Sequence, residues 1–255
     1  MRGIFETIVG SRVSTSISHG GLQVPANSLG EYIERFADPA IFNAHELEEY
    51  GLSKSGSLTR CRFGDKHFVL TSLHQSRIPG YGFDELILTA ECRKTFISSH
   101  RAIFPEETCG TESSFDCLAY EFTDLVMAGK LARSNWFELT KFDIDAPTPK
   151  PVLVAAVGYP SHRNIIDYDM NTYAIGPNVV WGVETEPLLR DRLSFIPEAP
   201  IDFDPNGMSG GPVFAIVESV VGLELRLVGI LTNASRTAFN FIPLSRLSAL
   251  IYEID

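Results

Sequence analysis

Long apolar runs are missing from this chain; none approaches the roughly 18 residues that a membrane-spanning helix requires. The opening residues, Met1-Arg2-Gly3-Ile4-Phe5-Glu6, reach Glu6 before an apolar core of signal-peptide length develops, so a cytoplasmic location is expected. Positive charge is short as well. Lys and Arg number 21 against 32 Asp and Glu, a net charge of −11. Such a surface repels phosphate backbones and anionic lipid, which leaves no nucleic acid and no membrane among the expected partners. Cysteine is scarce and unpatterned: Cys61, Cys92, Cys109 and Cys117 form no Cys-x-x-Cys spacing. Free buried thiols are the expectation, with a zinc site of Cys109, Cys117 and a histidine as the weaker alternative. No metal or organic cofactor is expected.

What is present is an ordinary globular composition, 44% apolar and 21% charged, which argues against disorder; 255 residues make one large all-β domain or two small ones. Two sets of short strand-like segments are separated by a proline-rich, charged break over 143–150, read as a linker. Before it, residues 57–63 and 67–71 flank a Gly64-Asp65 turn and predict a hairpin, with further strands at 86–89 and 117–120. After it, residues 151–157 open a second set, continued at 179–183, 212–217, 225–231 and 239–242. Helices are expected at 43–50, behind an asparagine cap, and at the C-terminus, where 243–252 has helical spacing after a proline. The pattern predicts a barrel or sandwich class. Its divisions are an N-terminal extension over 1–50, a first β unit over 51–142 and a second over 151–255.

The most demanding run is Asp204-Pro205-Asn206-Gly207-Met208-Ser209-Gly210-Gly211-Pro212. Glycine loses more backbone entropy on folding than any other residue, so three around one serine need a reason. A hydroxyl on a tight turn, with bare backbone N–H groups nearby to hold an oxyanion, supplies one. Serine is a poor nucleophile until a base removes its proton; histidine suits that task near neutrality, and a carboxylate behind the ring fixes its tautomer. The run also fits the Gly-x-Ser-x-Gly elbow of α/β-hydrolases, but that arrangement needs a histidine after the serine, and the last one here is His162. An aspartate-first order, as in subtilisins, lacks its strand–helix alternation. The order His, Asp, Ser remains, with His74 as base and Asp116 as acid. Asp84 lies too close to His74 in sequence, and Asp124 ranks third.

These residues carry a resemblance. Val69-Leu70-Thr71-Ser72-Leu73-His74, Phe115-Asp116-Cys117-Leu118-Ala119 and Gly207-Met208-Ser209-Gly210-Gly211-Pro212 resemble the three catalytic segments of trypsin- and chymotrypsin-like serine proteases, in the same order. The resemblance spans about three quarters of the chain. It implies an all-β fold of two antiparallel six-stranded barrels with a C-terminal helix, and a serine endopeptidase acting on protein or peptide substrates. It further implies a triad of His74, Asp116 and Ser209, with the N–H groups of Gly207 and Ser209 as oxyanion hole. The substrate pocket would be walled by 201–206 and 231–234, with Phe203, Asn206, Thr232 and Asn233 as binding residues. Phe203 near the pocket floor favours an apolar or small side chain, unless Asp202 or Asp204 points inward and selects Arg or Lys.

Two departures matter. Met208 replaces the aspartate that in animal relatives pairs with a freed N-terminal amine, so Ile8-Val9-Gly10, which looks like such an end, is read as coincidence and activation by insertion is not expected. No cysteine flanks His74 or Ser209, in keeping with a reducing compartment. A catalytically silent scaffold that keeps the fold, and an esterase using the same triad, are the alternatives. The N-terminal segment leaves room for a regulatory partner.

Overall fold

The computed structural model describes residues 15–43, 52–76, 86–89, 96–99, 101–104, 116–163, 165–167, 172–189 and 191–254. The predicted helix at 43–50 falls almost wholly outside them. The segment expected as a separate extension instead supplies strands to both halves of the molecule. Strands β1 (Ser16–His19) and β2 (Leu22–Pro25) form a hairpin, and β1 runs parallel to a strand of the C-terminal sheet, Ile17 opposite Leu223. Strand β3 (Ala37–Asn43) belongs to the other sheet, where it pairs with β4 (Leu52–Phe63). A boundary at residue 50 therefore does not separate an extension from a barrel. Pairing so distant in sequence leaves no local mark.

The hairpin predicted at Gly64-Asp65 forms between β4 and β5 (Lys66–Thr71), with Gly64 at φ +58° in the left-handed region. Strands β6 (Leu86–Thr89), β7 (Phe96–Ser98), β8 (Arg101–Ile103) and β9 (Leu118–Glu121) extend this into a curled sheet ordered β7-β6-β3-β4-β5-β9-β8. Strand β10 (Phe137–Leu139) adds to β4 in parallel. The second sheet closes. Strands β11 (Leu153–Gly158), β14 (Asn178–Thr185), β15 (Leu193–Pro197), β18 (Phe239–Pro243), β17 (Gly222–Ala234) and β16 (Pro212–Ser219) form a ring, because β16 pairs with both β17 and β11. A small hairpin, β12 (Ile165–Asp167) with β13 (Thr172–Ala174), stands apart from it. The molecule is all-β, with one closed six-stranded antiparallel barrel, one curled half-barrel and a C-terminal helix.

Alternation explains why the strands read as continuous apolar runs. Along β11, Val154 and Ala156 point into the closed barrel, while Leu153, Ala155 and Val157 join a core shared by the two sheets. Strand β16 repeats this, with Val213, Ala215 and Val217 inside and Phe214 and Ile216 facing the shared core. From the other side, Phe68 and Leu70 of β5 enter the shared core and Val69 packs within the half-barrel. Both sheets thus press one strand face against a common apolar layer, and that layer fixes their mutual position.

The C-terminal expectation holds. A 3-10 turn (Leu244–Arg246) leads through Leu247 into the helix Ser248–Tyr252, and Leu247, Leu250 and Ile251 are buried in the shared core. The expected linker is partly structured. Residues Lys141–Asp145 form a short helix, started by a capping box in which Thr140 Oγ1 accepts from Asp143 N–H at 3.2 Å and Asp143 Oδ2 accepts from Thr140 N–H at 2.9 Å. Pro147 and Pro149 come only after that helix ends.

Candidate active site

Strand β5 ends at Thr71 and runs into the one-turn helix Leu73–Ser76, which carries His74. Strand β9 pairs with β5, Leu118 opposite Thr71, and so brings Asp116 beside that turn. One carboxylate grips the histidine twice. Asp116 Oδ1 accepts the His74 backbone N–H at 2.8 Å, and Oδ2 lies 2.6 Å from His74 Nδ1. A neutral imidazole that donates from Nδ1 keeps a lone pair at Nε2, and here the ring is half exposed, at 52%. The guanidinium of Arg192, just before β15, also acts electrostatically on Asp116 from the closed barrel. Burial pulls Arg192 below the usual arginine range, and Asp116 opposes that shift. Asp124 sits instead on the helix Thr123–Met127 beyond β9, and Asp84 lies outside the described residues.

The serine loop precedes β16 and is pinned at nearly every backbone group. Gly207 and Gly210 adopt φ +94° and +86°. A Cβ on Gly210 would lie 2.0 Å from the Ser57 carbonyl oxygen, and one on Gly211 2.0 Å from that of Val157, so neither tolerates a side chain. The Gly207 carbonyl accepts Ser57 Oγ–H at 2.7 Å, and the Gly210 carbonyl accepts Thr59 Oγ1–H at 3.0 Å. The Ser209 carbonyl accepts two donors from the half-barrel, Ser57 N–H at 2.9 Å and Gln75 Nε2–H at 2.8 Å. Met208, fully buried in the closed-barrel core, anchors the loop. The Ile8-Val9-Gly10 segment lies outside the described residues.

The donors in this loop divide in two. Met208 N–H bonds Pro205 O at 3.0 Å, Gly210 N–H bonds Leu231 O at 2.6 Å, and Gly211 N–H bonds Met208 O at 3.1 Å. The N–H groups of Gly207 and Ser209 find no acceptor among the described residues. The Ser209 hydroxyl donates to Thr232 O at 3.0 Å, and no hydrogen bond joins it to His74. A bulge in β17 presents that carbonyl: the register slips between Leu231 and Asn233, which leaves Thr232 as the extra residue.

The expected pocket residues scatter more. Thr232 is buried, with Oγ1 donating to Asn240 O at 3.2 Å, whereas Asn233 is exposed. Phe203 packs on the closed-barrel core and stacks with His162 at 5.4 Å between ring centroids. Asn206 is exposed, its carbonyl accepting Ser161 N–H at 2.7 Å and its N–H donating to Asp204 Oδ1 at 3.0 Å. Asp202 and Asp204 are both exposed.

Among the described residues no three His, Cys, Asp or Glu side chains are grouped to hold a metal ion. Cys61 and Cys117 are free and buried, and burial pushes both thiols well up; Cys92 and Cys109 fall outside the described residues.

Sequence reasoning misses Gln75, Ser57 and Lys54. Gln75 is buried, and its side chain lies where a Cβ of Gly56 would be, at 1.9 Å. Its amide therefore ties the turn that carries His74 directly to the Ser209 backbone. The one signal for it is its place beside the histidine. No protein-family model and no curated protein matches the chain.

Proposed function

We propose that the protein is a serine endopeptidase with a chymotrypsin-like arrangement of two β-barrels. One observation carries this reading. A histidine held by a carboxylate through both ring and backbone is tied, by the residue next to it, to a serine loop whose Gly207 and Ser209 N–H groups are unspent. In the proposed reaction Ser209 Oγ turns from Thr232 O toward His74 and attacks a substrate carbonyl, while His74 Nε2 takes its proton. That turn exchanges one hydrogen bond for another, each worth about 1 kcal/mol net. Asp116 stabilises the imidazolium so formed. The two N–H groups receive the developing oxyanion, and losing one such donor costs on the order of 3 kcal/mol of barrier. His74 then returns the proton to the departing amine, and water repeats the sequence on the acyl-enzyme.

The bond from Ser209 Oγ to Thr232 O favours a second reading, a resting protein that needs a partner or substrate to turn the serine. No helix among the described residues is long and apolar enough to cross a membrane, and scarce cysteine supports a reducing, cytoplasmic setting. Hydrolysis of an unfolded protein and of a simple aryl ester, measured side by side with Ser209→Ala as control, tests the proposal. Peptide turnover that Ser209→Ala abolishes supports an endopeptidase. Ester turnover alone points to an esterase, and neither to a scaffold.

A further inference from the structure

Lys54 begins on the half-barrel and ends on the closed one. Its Nζ donates to the Tyr159 carbonyl at 2.6 Å. That same oxygen lies 2.9 Å from where a Cβ of Gly207 would stand, and Ser161 Oγ lies 2.6 Å from the same point. The ammonium is therefore one carbonyl removed from the glycine whose N–H is unspent. It has three donors and spends one. Among the described residues no carboxylate pairs with it. Burial without a counter-charge pushes its pKa down to about 8.

An uncompensated, part-buried cation is costly, and an incoming anion relieves that cost. Position indicates which one. Thr232 O meets Ser209 on the β17 flank, where the acyl half of a substrate would lie against 232–234. Leu231 of β17 bonds the loop at Gly210 and Gly211, whereas Tyr159 and Ser161 border it at Gly207, with Lys54 behind the Tyr159 carbonyl; with the acyl half against 232–234, the leaving group would extend toward the Gly207 end.

We propose that Lys54, with Ser161 at its rim, is an anion-binding subsite on the leaving-group side of Ser209, and that it selects substrates with Asp or Glu in the two residues following the cleaved bond. This rests on the endopeptidase reading above. A carboxylate reaching this ammonium makes a charge-assisted hydrogen bond in a partly dry site, which amounts to about a tenfold or greater preference in kcat/KM.

The test uses peptides randomised at those two positions, cleaved by the wild-type chain, Lys54→Met and Lys54→Arg, each checked for a retained thermal transition. The expected result is Asp and Glu enrichment in wild type, kept by Lys54→Arg and erased by Lys54→Met. Cleavage without acidic preference, or a preference that survives Lys54→Met, overturns the subsite. A second measurement does not depend on turnover. Ser209→Ala protein, its lysines labelled with ¹³C by reductive methylation, is titrated with the Glu-Asp dipeptide amide. A shift of the Lys54 resonance with Glu-Asp but not with Ala-Ala amide upholds the subsite even if the catalytic reading fails. An unmoved Lys54 resonance overturns it even if peptides are cleaved.

Discussion

The serine loop and the histidine turn are held in opposite ways. From Gly207 to Gly211 the loop is fixed by backbone contacts, with two glycines in left-handed conformations and carbonyls sewn to Ser57, Thr59 and Gln75 of the other sheet. The histidine turn is a single helical turn with Leu73, Gln75 and Ser76 buried, and its half-exposed His74 ring is oriented by Asp116. A hydroxyl can be replaced in a rigid loop without disturbing it, whereas a base held by one carboxylate loses its alignment when that group changes. Sensitivity of activity should therefore concentrate on Asp116, and sensitivity of folding on the loop glycines.

Replacing Asp116 by Asn leaves shape intact and, under the proposed mechanism, removes the charge that would stabilise the imidazolium and set the tautomer. Turnover should fall on the order of a thousandfold or more, with little change in thermal stability, read by kcat and by calorimetry. Gly210→Ala should do the reverse. It forces a side chain into φ +86° and against the Ser57 carbonyl, so about 3 kcal/mol of stability should be lost, a drop in Tm of roughly 10 °C. If Gly210→Ala melts normally, the loop is not as rigid as described.

Gln75 links the two regions, sitting on the histidine turn and bonding the Ser209 carbonyl. Gln75→Met keeps the volume and removes the donor to Ser209 O, which retains Ser57 N–H. Turnover should drop about tenfold through kcat with KM unmoved, at a stability cost of about 1 kcal/mol. A change in KM alone would mean that Gln75 supports the fold but not the alignment.

The smallest effect is expected from pH. Burial lowers the pKa of His19, whose Nδ1 lies 2.7 Å from Tyr32 Oη and whose ring stacks on Phe137; Asp143, Glu138 and Glu224 oppose the shift and Arg35 adds to it. Burial also lowers that of His67, where a bond to Asp65 O and the Asp65 charge oppose it and Arg62 and Arg133 add to it. In the folded state burial favours the neutral form of both rings. Their contribution is complete above the ordinary value of 6.5 and is lost as pH falls from there toward the lowered folded values. Denaturant midpoints should decline below pH 6.5, and His19→Phe should lessen the decline.

How much of this was legible follows from the range of each signal. The Gly64-Asp65 turn and the continuous apolar run of β11 are local and can be read directly. So can the glycines around Ser209, since left-handed turns and close backbone approach need them. The partnership of His74 with Asp116 is legible only as an order along the chain. What escapes is long-range. Strand β1 finds β17 across some two hundred residues, and nothing in Ser16-Ile17-Ser18-His19 announces a partner. Gln75 and Lys54 matter through carbonyls of the opposite barrel, contacts that exist only once both sheets press on the shared core. Thr140-x-x-Asp143 is a helix-start signal that reading 143–150 as a linker passes over.

In the proposed mechanism His74 serves Ser209 across the two sheets. Reaction with a fluorophosphonate, followed by intact mass and peptide mapping, addresses it most directly. One adduct per chain is expected, mapped to Ser209 and reduced at least a hundredfold in rate by His74→Ala. An adduct that forms equally fast without His74, or none on Ser209 in the folded chain, would contradict it.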